Sequence, residues 1–239
     1  MKGRGSIRER VAGLDWRTAA EQLDERGYAR LPGLLSASEC RDLAALYGDD
    51  ERFRSTIDME PRRYGIGQYR YFDRPLPDLV ARLRTALYPP LARIANGWLE
   101  ALGADRTLPP SLRSFLAECR SAGQLRPTPL LLRYGAGGLN HLHQDLYGAV
   151  AFPLQVAFLL SRPGRDFEGG EFLLVEQRPR QQSRGEAITL RQGEGLVFPN
   201  QERPARGTRG VYRVAVRHGV SRVHAGERLT LGIIFHDAK

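Results

Sequence analysis

From residue 123 onward the apolar residues come in short, separated runs, and this punctuation constrains the fold more than any other feature. The runs cover 130–134, 150–160, 171–175, 187–190, 195–198, 211–216 and 230–235, with Gly, Pro and polar clusters between them. Seven or eight short strands at this spacing predict a jelly roll or barrel rather than a parallel sheet. Before Gly123 the spacing is helical instead. The expected fold class is therefore α+β: a rolled double sheet over 123–239, with an N-terminal helical region over 1–122 packed on it as part of one integrated domain. At 239 residues the chain is long enough to bury a substantial core.

Within the first half, Trp16, Ala20 and Leu23 mark one apolar helical face, stopped by Gly27. Residues 28–31 read as a short strand. Ser36 and Glu39 have capping-box spacing, and Cys40, Leu43, Leu46 and Tyr47 continue that helix. The polar stretch 49–67 reads as a loop and 69–72 as a strand. Leu76, Leu79, Val80, Leu83 and Leu87 predict a helix broken at Pro89 and Pro90, which start a following one through Leu91, Ile94, Trp98 and Leu102. A last helix is expected over 111–120. These leucines and aromatics read as core.

The chemistry-bearing stretch is LLLRYGAGGLNHLHQDLY, 130–147, which contains His143-Gln144-Asp145. In an extended segment, residues two apart point to the same side, so His143 and Asp145 can reach one ion. His218 follows the strand-like run 211–216 and supplies a third donor. Two histidines and one carboxylate are the ligand set of a non-haem Fe(II) site with three positions left open. Arg228 opens the last run. A rolled double sheet can bring these distant points to one mouth.

The segment from Pro127 to the C-terminus resembles the Fe(II)/2-oxoglutarate dioxygenase superfamily. The matching residues are Tyr134, His143, Asp145, His218 and Arg228, with Gly169-Gly170-Glu171 and Gly193-Glu194-Gly195 as family-like turns. RHGVSRVHAGERLTL, 217–231, is similar to the distal-histidine segment of prolyl-hydroxylase-like members, and LLLRYGAGGLNHLHQD to the matching stretch of AlkB-type nucleic-acid demethylases. The closing strand lacks the second downstream arginine of the AlkB type. More narrowly, AGQLRPTPLLLRY, FPLQV, DFEGGEF, EQRPRQQSR and RHGVSR resemble a bacterial family of 2-oxoglutarate oxygenases described as acting on damaged DNA.

The resemblance implies a double-stranded β-helix core. It implies Fe(II) held by His143, Asp145 and His218, and 2-oxoglutarate as cosubstrate with its far carboxylate on Arg228 and a hydroxyl contact from Tyr134. O2 completes the set. The implied reaction hydroxylates a C–H bond and releases succinate and CO2, with oxidative demethylation of alkylated DNA or RNA as one form of it. A protein (prolyl-type) or small-molecule hydroxylase and a non-catalytic cupin-like metal-binding module are the alternatives.

A formal charge of +9 suits a polyanionic partner. Lys2 and Lys239 are the only lysines, however, so an arginine-biased coding composition produces the same balance. Arg178, Arg180 and Arg184, with Arg203, Arg206 and Arg209, form a cationic rim if their two loops border the mouth. Tyr147 and Phe152 are candidates to stack on a flipped base, against core packing. His141 reads as a pocket-wall or turn residue, and His224 and His236 as structural or surface. Cys40 and Cys119 lack metal-ligand spacing and suggest thiols in a reducing cytoplasm. No apolar run of about eighteen residues exists, so no membrane span is expected, and the basic N-terminus lacks the apolar stretch of a secretory signal.

Overall fold

Helical spacing and strand alternation resolve into two large sheets, with a two-stranded ribbon of 223–226 and 167–169 beside them, backed on one side by helices. The computed structural model describes residues 5–145, 148–208 and 210–239. Its helices are α1 (Ile7–Ala12), α2 (Trp16–Arg26), α3 (Ala37–Ala45), α4 (Asp78–Ala101) and α5 (Leu112–Ser121). The first strands are β1 (Ala29–Leu31), β2 (Phe53–Asp58), β3 (Gly65–Ile66), β4 (Gln68–Phe72), β5 (Leu130–Tyr134) and β6 (Leu139–His143). After these come β7 (Leu154–Leu159), β8 (Phe167–Gly169), β9 (Phe172–Gln177), β10 (Arg184–Ile188) and β11 (Gly195–Pro199). The last are β12 (Glu202–Gly207), β13 (Gly210–Val220), β14 (Val223–Gly226) and β15 (Arg228–Ile233).

The larger sheet runs β1-β11-β7-β15-β5-β4-β2, and the smaller runs β10-β9-β13-β6-β3 with β12 paired to β13. Every pairing in them is antiparallel. Strands from before residue 123 extend both sheets at their edges: β1 joins β11, β4 joins β5, and β3 joins β6.

Alternation along the larger sheet sends its two faces to different cores. Leu131, Leu231 and Ile233 point to the helices and join Leu23, Leu43 and Leu87 in one buried cluster. Tyr134, Leu159 and Phe198, on the opposite face, join Phe172 and Val216 of the facing strands in a second. The hollow of the molecule lies on this inner side.

Several local signals hold. Ser36 caps α3 with a full capping box to Glu39, and Gly27 ends α2 in the left-handed region at φ 80°, where a Cβ is disfavoured. The break expected at Pro89 does not occur. Each proline removes one N–H from the helical ladder, yet α4 runs on as one 24-residue helix. Its buried face is continuous across them, with Leu83 and Leu87 before and Pro90, Leu91 and Ala95 after, and that packing outweighs the missing bonds. The stretch read as a loop over 49–67 contains β2 and β3. Arg54, Ser55 and Thr56 hide an edge strand whose order comes from pairing to β4 rather than from an apolar face.

Behind β15, the wholly buried Arg84 of α4 ties down the C-terminal segment. Its guanidinium donates to the carbonyls of Ile234 and Phe235 and, at 2.8 Å, to the buried Asp237 carboxylate. Arg84→Ala leaves the Asp237 carboxylate with Arg74 as its remaining cation and removes a buried donor from both carbonyls, which predicts a loss of about 3–5 kcal/mol. Calorimetry should then read a melting temperature about 6–20 °C lower. The exposed pair Arg82–Asp78 on the same helix should give almost nothing on the same change.

Candidate metal and cosubstrate site

β6 and β13 are neighbours in the smaller sheet, and their register sets His218 directly opposite His143. Strand β6 ends at His143, so Asp145 lies just past it and not within the strand, as simple strand parity would have it. Its position is fixed instead by backbone and side-chain bonds. Its N–H donates to the Asn200 carbonyl at 3.3 Å, and the Gln155 amide of β7 donates to Asp145 Oδ2 at 2.9 Å. His218 Nε2 lies 3.1 Å from Asp145 Oδ2, and His143 Nε2 lies 3.7 Å from Oδ1. One donor atom from each of the three residues falls within 4.8 Å of the others, the one such cluster among the described residues. Their exposure is unequal: the side chain of His143 is 36% accessible, those of Asp145 and His218 12% and 7%.

The protonation states suit a cation. Burial alone would raise the Asp145 carboxyl. The His218 hydrogen bond and charge, then His143 and Gln155, hold it well below the usual carboxylate range. Burial first, and the neighbouring His218 second, lower His143, which leaves it neutral near pH 7. His143 Nδ1 lies 2.8 Å from the His141 carbonyl, an acceptor that places the proton on Nδ1 and turns the Nε2 lone pair toward Asp145. His218 Nδ1 is buried with no hydrogen-bond partner.

Gln144, between the two ligand-type residues, clamps this segment to the other wall. Its amide donates to the carbonyls of Gln201 and Val216 at 2.9 and 3.0 Å, and Val216 stands two residues before His218 on β13. The cluster is thus held from the larger sheet through Gln155 and from the smaller one through Gln144. Gln155→Leu is expected to cut Fe(II) affinity about 10- to 100-fold with the fold intact, measured by anaerobic metal titration beside a thermal melt.

A cavity of about 430 Å³ contains all three residues. Its far wall is the inner row of β15 and β5. There Arg228 is opposite Tyr134 in register, both are buried, and the guanidinium carbon sits 5.7 Å from the tyrosine ring centre. Arg228 donates to Thr230 Oγ1 at 2.6 Å, its Nε has no partner, and no carboxylate forms an ion pair with it among the described residues. Burial pushes its pKa down to about 10, opposed by Tyr134 and Glu171, so it remains a cation at neutral pH. A buried, uncompensated guanidinium facing a cavity is costly unless an anion completes it, and a dicarboxylic cosubstrate suits it in charge and geometry. Tyr134 accepts a hydrogen bond from Asn140 at 3.3 Å. Gly67 lies so close that a Cβ there would meet the tyrosine ring at 2.8 Å, so any side chain would displace the hydroxyl from the cavity.

A sequence model of the Oxygenase-NA family, described as an oxygenase catalysing oxidative methylation of damaged DNA, matches residues 67–238. The chain belongs to this family. Two Mycobacterium tuberculosis proteins, "Uncharacterized protein Rv2227" of strain H37Rv and its counterpart in strain CDC 1551, are each 52% identical over 181 residues, 74% of this chain and 78% of theirs. Among solved structures, a Trichoplax adhaerens prolyl hydroxylase superposes with TM-score 0.56 at 14% identity, over 97% of this chain and 92% of that one. A Pseudomonas putida prolyl-4-hydroxylase gives 0.53 at 16%, over 94% and 99%. A Burkholderia pseudomallei 2OG-Fe(II) oxygenase gives 0.51 at 18%, over 99% and 93%. These likenesses show the fold, a double-stranded β-helix. Family and His-Asp-His triad together make this Oxygenase-NA member an oxygenase with the ligand set of a non-haem iron site.

The other candidates divide. Arg178 and Arg180 lie outside the cavity, in an adjoining groove with Gln144 and Arg213. Among the described residues these arginines do not make a single cationic rim. Arg203 is buried and bonded to Glu176 at 2.5 Å, and Arg206 faces α2 and α4 across another groove. Arg184 stands beside Glu186. Tyr147 and Arg209 lie outside the described residues. Phe152 is core, packed on Tyr88, Phe115 and Phe235. His236 is buried and held neutral, its pKa pushed down to about 4 by burial and then by Arg84, and it accepts from the Phe152 N–H. His141 lines the cavity mouth. Cys40 and Cys119 are buried and form no disulfide. No helix among the described residues is long and apolar enough to cross a membrane.

Sequence reasoning missed Gln155, Gln144, Thr230 and Asn140. Gln155 had a signal: it is the one polar residue inside the otherwise apolar β7 sequence LQVAFL, where an amide must be satisfied. Thr230 is two residues after Arg228 on one strand face.

Proposed function

We propose that the protein hydroxylates a C–H bond of its substrate while 2-oxoglutarate and O2 become succinate and CO2, and that the bond is on an N-alkyl group of a damaged nucleobase. Arg228 carries the cosubstrate assignment, as a buried cation that lacks a counter-charge in the cavity where three donor atoms converge. In this reading His143, Asp145 and His218 hold Fe(II) on one face and leave the opposite positions open. Arg228 takes the remote carboxylate of the cosubstrate through its fork of donors, steadied by Thr230, and Tyr134 donates its hydroxyl to the same molecule. Bound iron and 2-oxoglutarate supply the oxidising power. The chain supplies position and dryness.

Tyr69 and Tyr71 line the cavity beyond the donor cluster and meet edge to face with ring centres 5.5 Å apart. On the same inner face of the larger sheet, Leu130, Gly232 and Ala157 continue the row that starts at Tyr71, and the glycine and alanine leave room above the sheet. A flat aromatic substituent fits beside the two tyrosines, over the low stretch of that sheet, and the family description supplies the damaged base. Hydroxylation of an N-methyl carbon gives a hemiaminal, which sheds formaldehyde and leaves the N–H.

The test is product analysis over a panel of methylated oligonucleotides, proline peptides and free metabolites. Succinate and formaldehyde in equal amounts from a methylated oligonucleotide is the expected result. Succinate driven by a peptide or metabolite alone would replace the substrate assignment. Absence of a visible charge-transfer band on anaerobic addition of Fe(II) and 2-oxoglutarate would reduce the site to a metal-binding module.

A further inference from the structure

Gln144 lines two hollows at once. One is the cavity; the other is a groove of about 450 Å³ at the open ends of β9, β12 and β13, walled by Arg178, Arg180 and Arg213. The groove therefore begins where the donor cluster ends. Its charge is only partly cancelled. Glu176 serves both Arg178 and Arg203, and Glu202 serves Arg213. Arg180 forms no ion pair among the described residues and is exposed, on backbone held in the left-handed region at φ 59°.

The other lip of the mouth has the opposite character. β3 lies on the far side of β6 from β13, and there Tyr64, Ile66 and Leu142 are among the few large apolar side chains left exposed. They form a ledge on rigid backbone, since the His141 N–H donates to the Tyr64 carbonyl at 2.8 Å. Tyr64 and Leu142 also line the cavity. An aromatic and apolar ledge on one side and a cationic groove on the other suit a ligand that alternates flat rings with negative charges. Single-stranded nucleic acid has that chemistry. An acidic peptide would use the groove and have no need of the ledge.

We infer that ledge and groove together form a track for a single strand, with the base next to the modified nucleotide stacked on Tyr64 and the following phosphates on Arg180, Arg213 and Arg178. This rests on the reading of the cavity as the place where a nucleobase is oxidised. It adds where the rest of the strand goes.

The experiment measures anisotropy of a fluorescent single-stranded oligonucleotide carrying one N-methylated base, under anaerobic conditions, with Fe(II) and 2-oxoglutarate present. Wild type is compared with Arg180→Glu/Arg213→Glu and with Tyr64→Ala, all three positions being exposed. The charge reversal should raise Kd at least about tenfold and flatten the plot of log K against log salt by about 1.4, or 0.7 for each phosphate that is no longer neutralised. Tyr64→Ala should raise Kd about tenfold with the slope unchanged. Equal affinity and slope in all three proteins would overturn the track. So would wild-type protein that consumes 2-oxoglutarate in a parallel aerobic assay but binds no oligonucleotide, an outcome that leaves the oxygenase reading standing. Binding of polyglutamate that depends on the arginines and not on Tyr64 would reassign the groove to a protein partner. If wild type neither binds the oligonucleotide nor consumes 2-oxoglutarate in the aerobic assay, the cavity reading fails and takes the track with it.

Discussion

His143→Ala should bring 2-oxoglutarate-dependent succinate release down to background while the protein stays folded. The residue is the most accessible of the triad, so truncation opens no closed cavity, and the main internal bond removed is the one to the His141 carbonyl. What disappears is one of three donors to the ion, and with it the defined open face on which cosubstrate and O2 meet. Two measurements separate function from folding. The melting temperature without metal should stay within a few degrees of wild type, and the rise on adding Fe(II) should vanish. Turnover preserved in this variant would refute the metal assignment outright.

Arg228→Met should have effects of opposite sign on cosubstrate binding and on the stability of the cosubstrate-free protein. Truncating one partner of a buried charge pair costs about 2–5 kcal/mol, so KM for 2-oxoglutarate should rise about 30-fold or more. Without cosubstrate, however, the guanidinium is a buried cation with an unpartnered Nε. A methionine of similar length removes that desolvation cost. The cosubstrate-free variant should therefore melt no lower than wild type. Saturating 2-oxoglutarate should stabilise wild type by about 2.7 kcal/mol at a hundred times Kd and the variant hardly at all. A variant that melts much lower and still binds 2-oxoglutarate normally would assign Arg228 to architecture instead.

The chemistry of the site was more legible in the chain than its supports were. His143, Asp145, His218 and Arg228 carry side chains whose types and order announce a ligand set, and the expected rolled double sheet was enough to bring them to one mouth, while the pairing of His143 with His218 across β6 and β13 came only with the structure. Strand logic overreached at Asp145, which turns off the end of β6 and is aimed by Gln155 instead of by strand parity. Supports such as Gln155 and Gln144 act through bonds to residues 10 to 72 positions away, and no local spacing encodes those. Boundaries failed where packing overruled local preference. Pro89 and Pro90 looked like a break because only long-range burial keeps α4 whole. Arg54 to Thr56 looked like a loop because an edge strand needs no apolar face. Arg203 looked like a surface arginine because nothing nearby in sequence points to Glu176, 27 residues earlier.

The uneven exposure of the triad fixes how an ion comes and goes. Asp145 and His218 are walled in, Asp145 is prearranged by Gln155, and His143 stands at the doorway. An incoming ion passes His143 to reach the other two, and a departing one lets go of His143 last on its way out. Whatever strand or molecule settles over the mouth therefore seals the metal in as well as presenting itself to it.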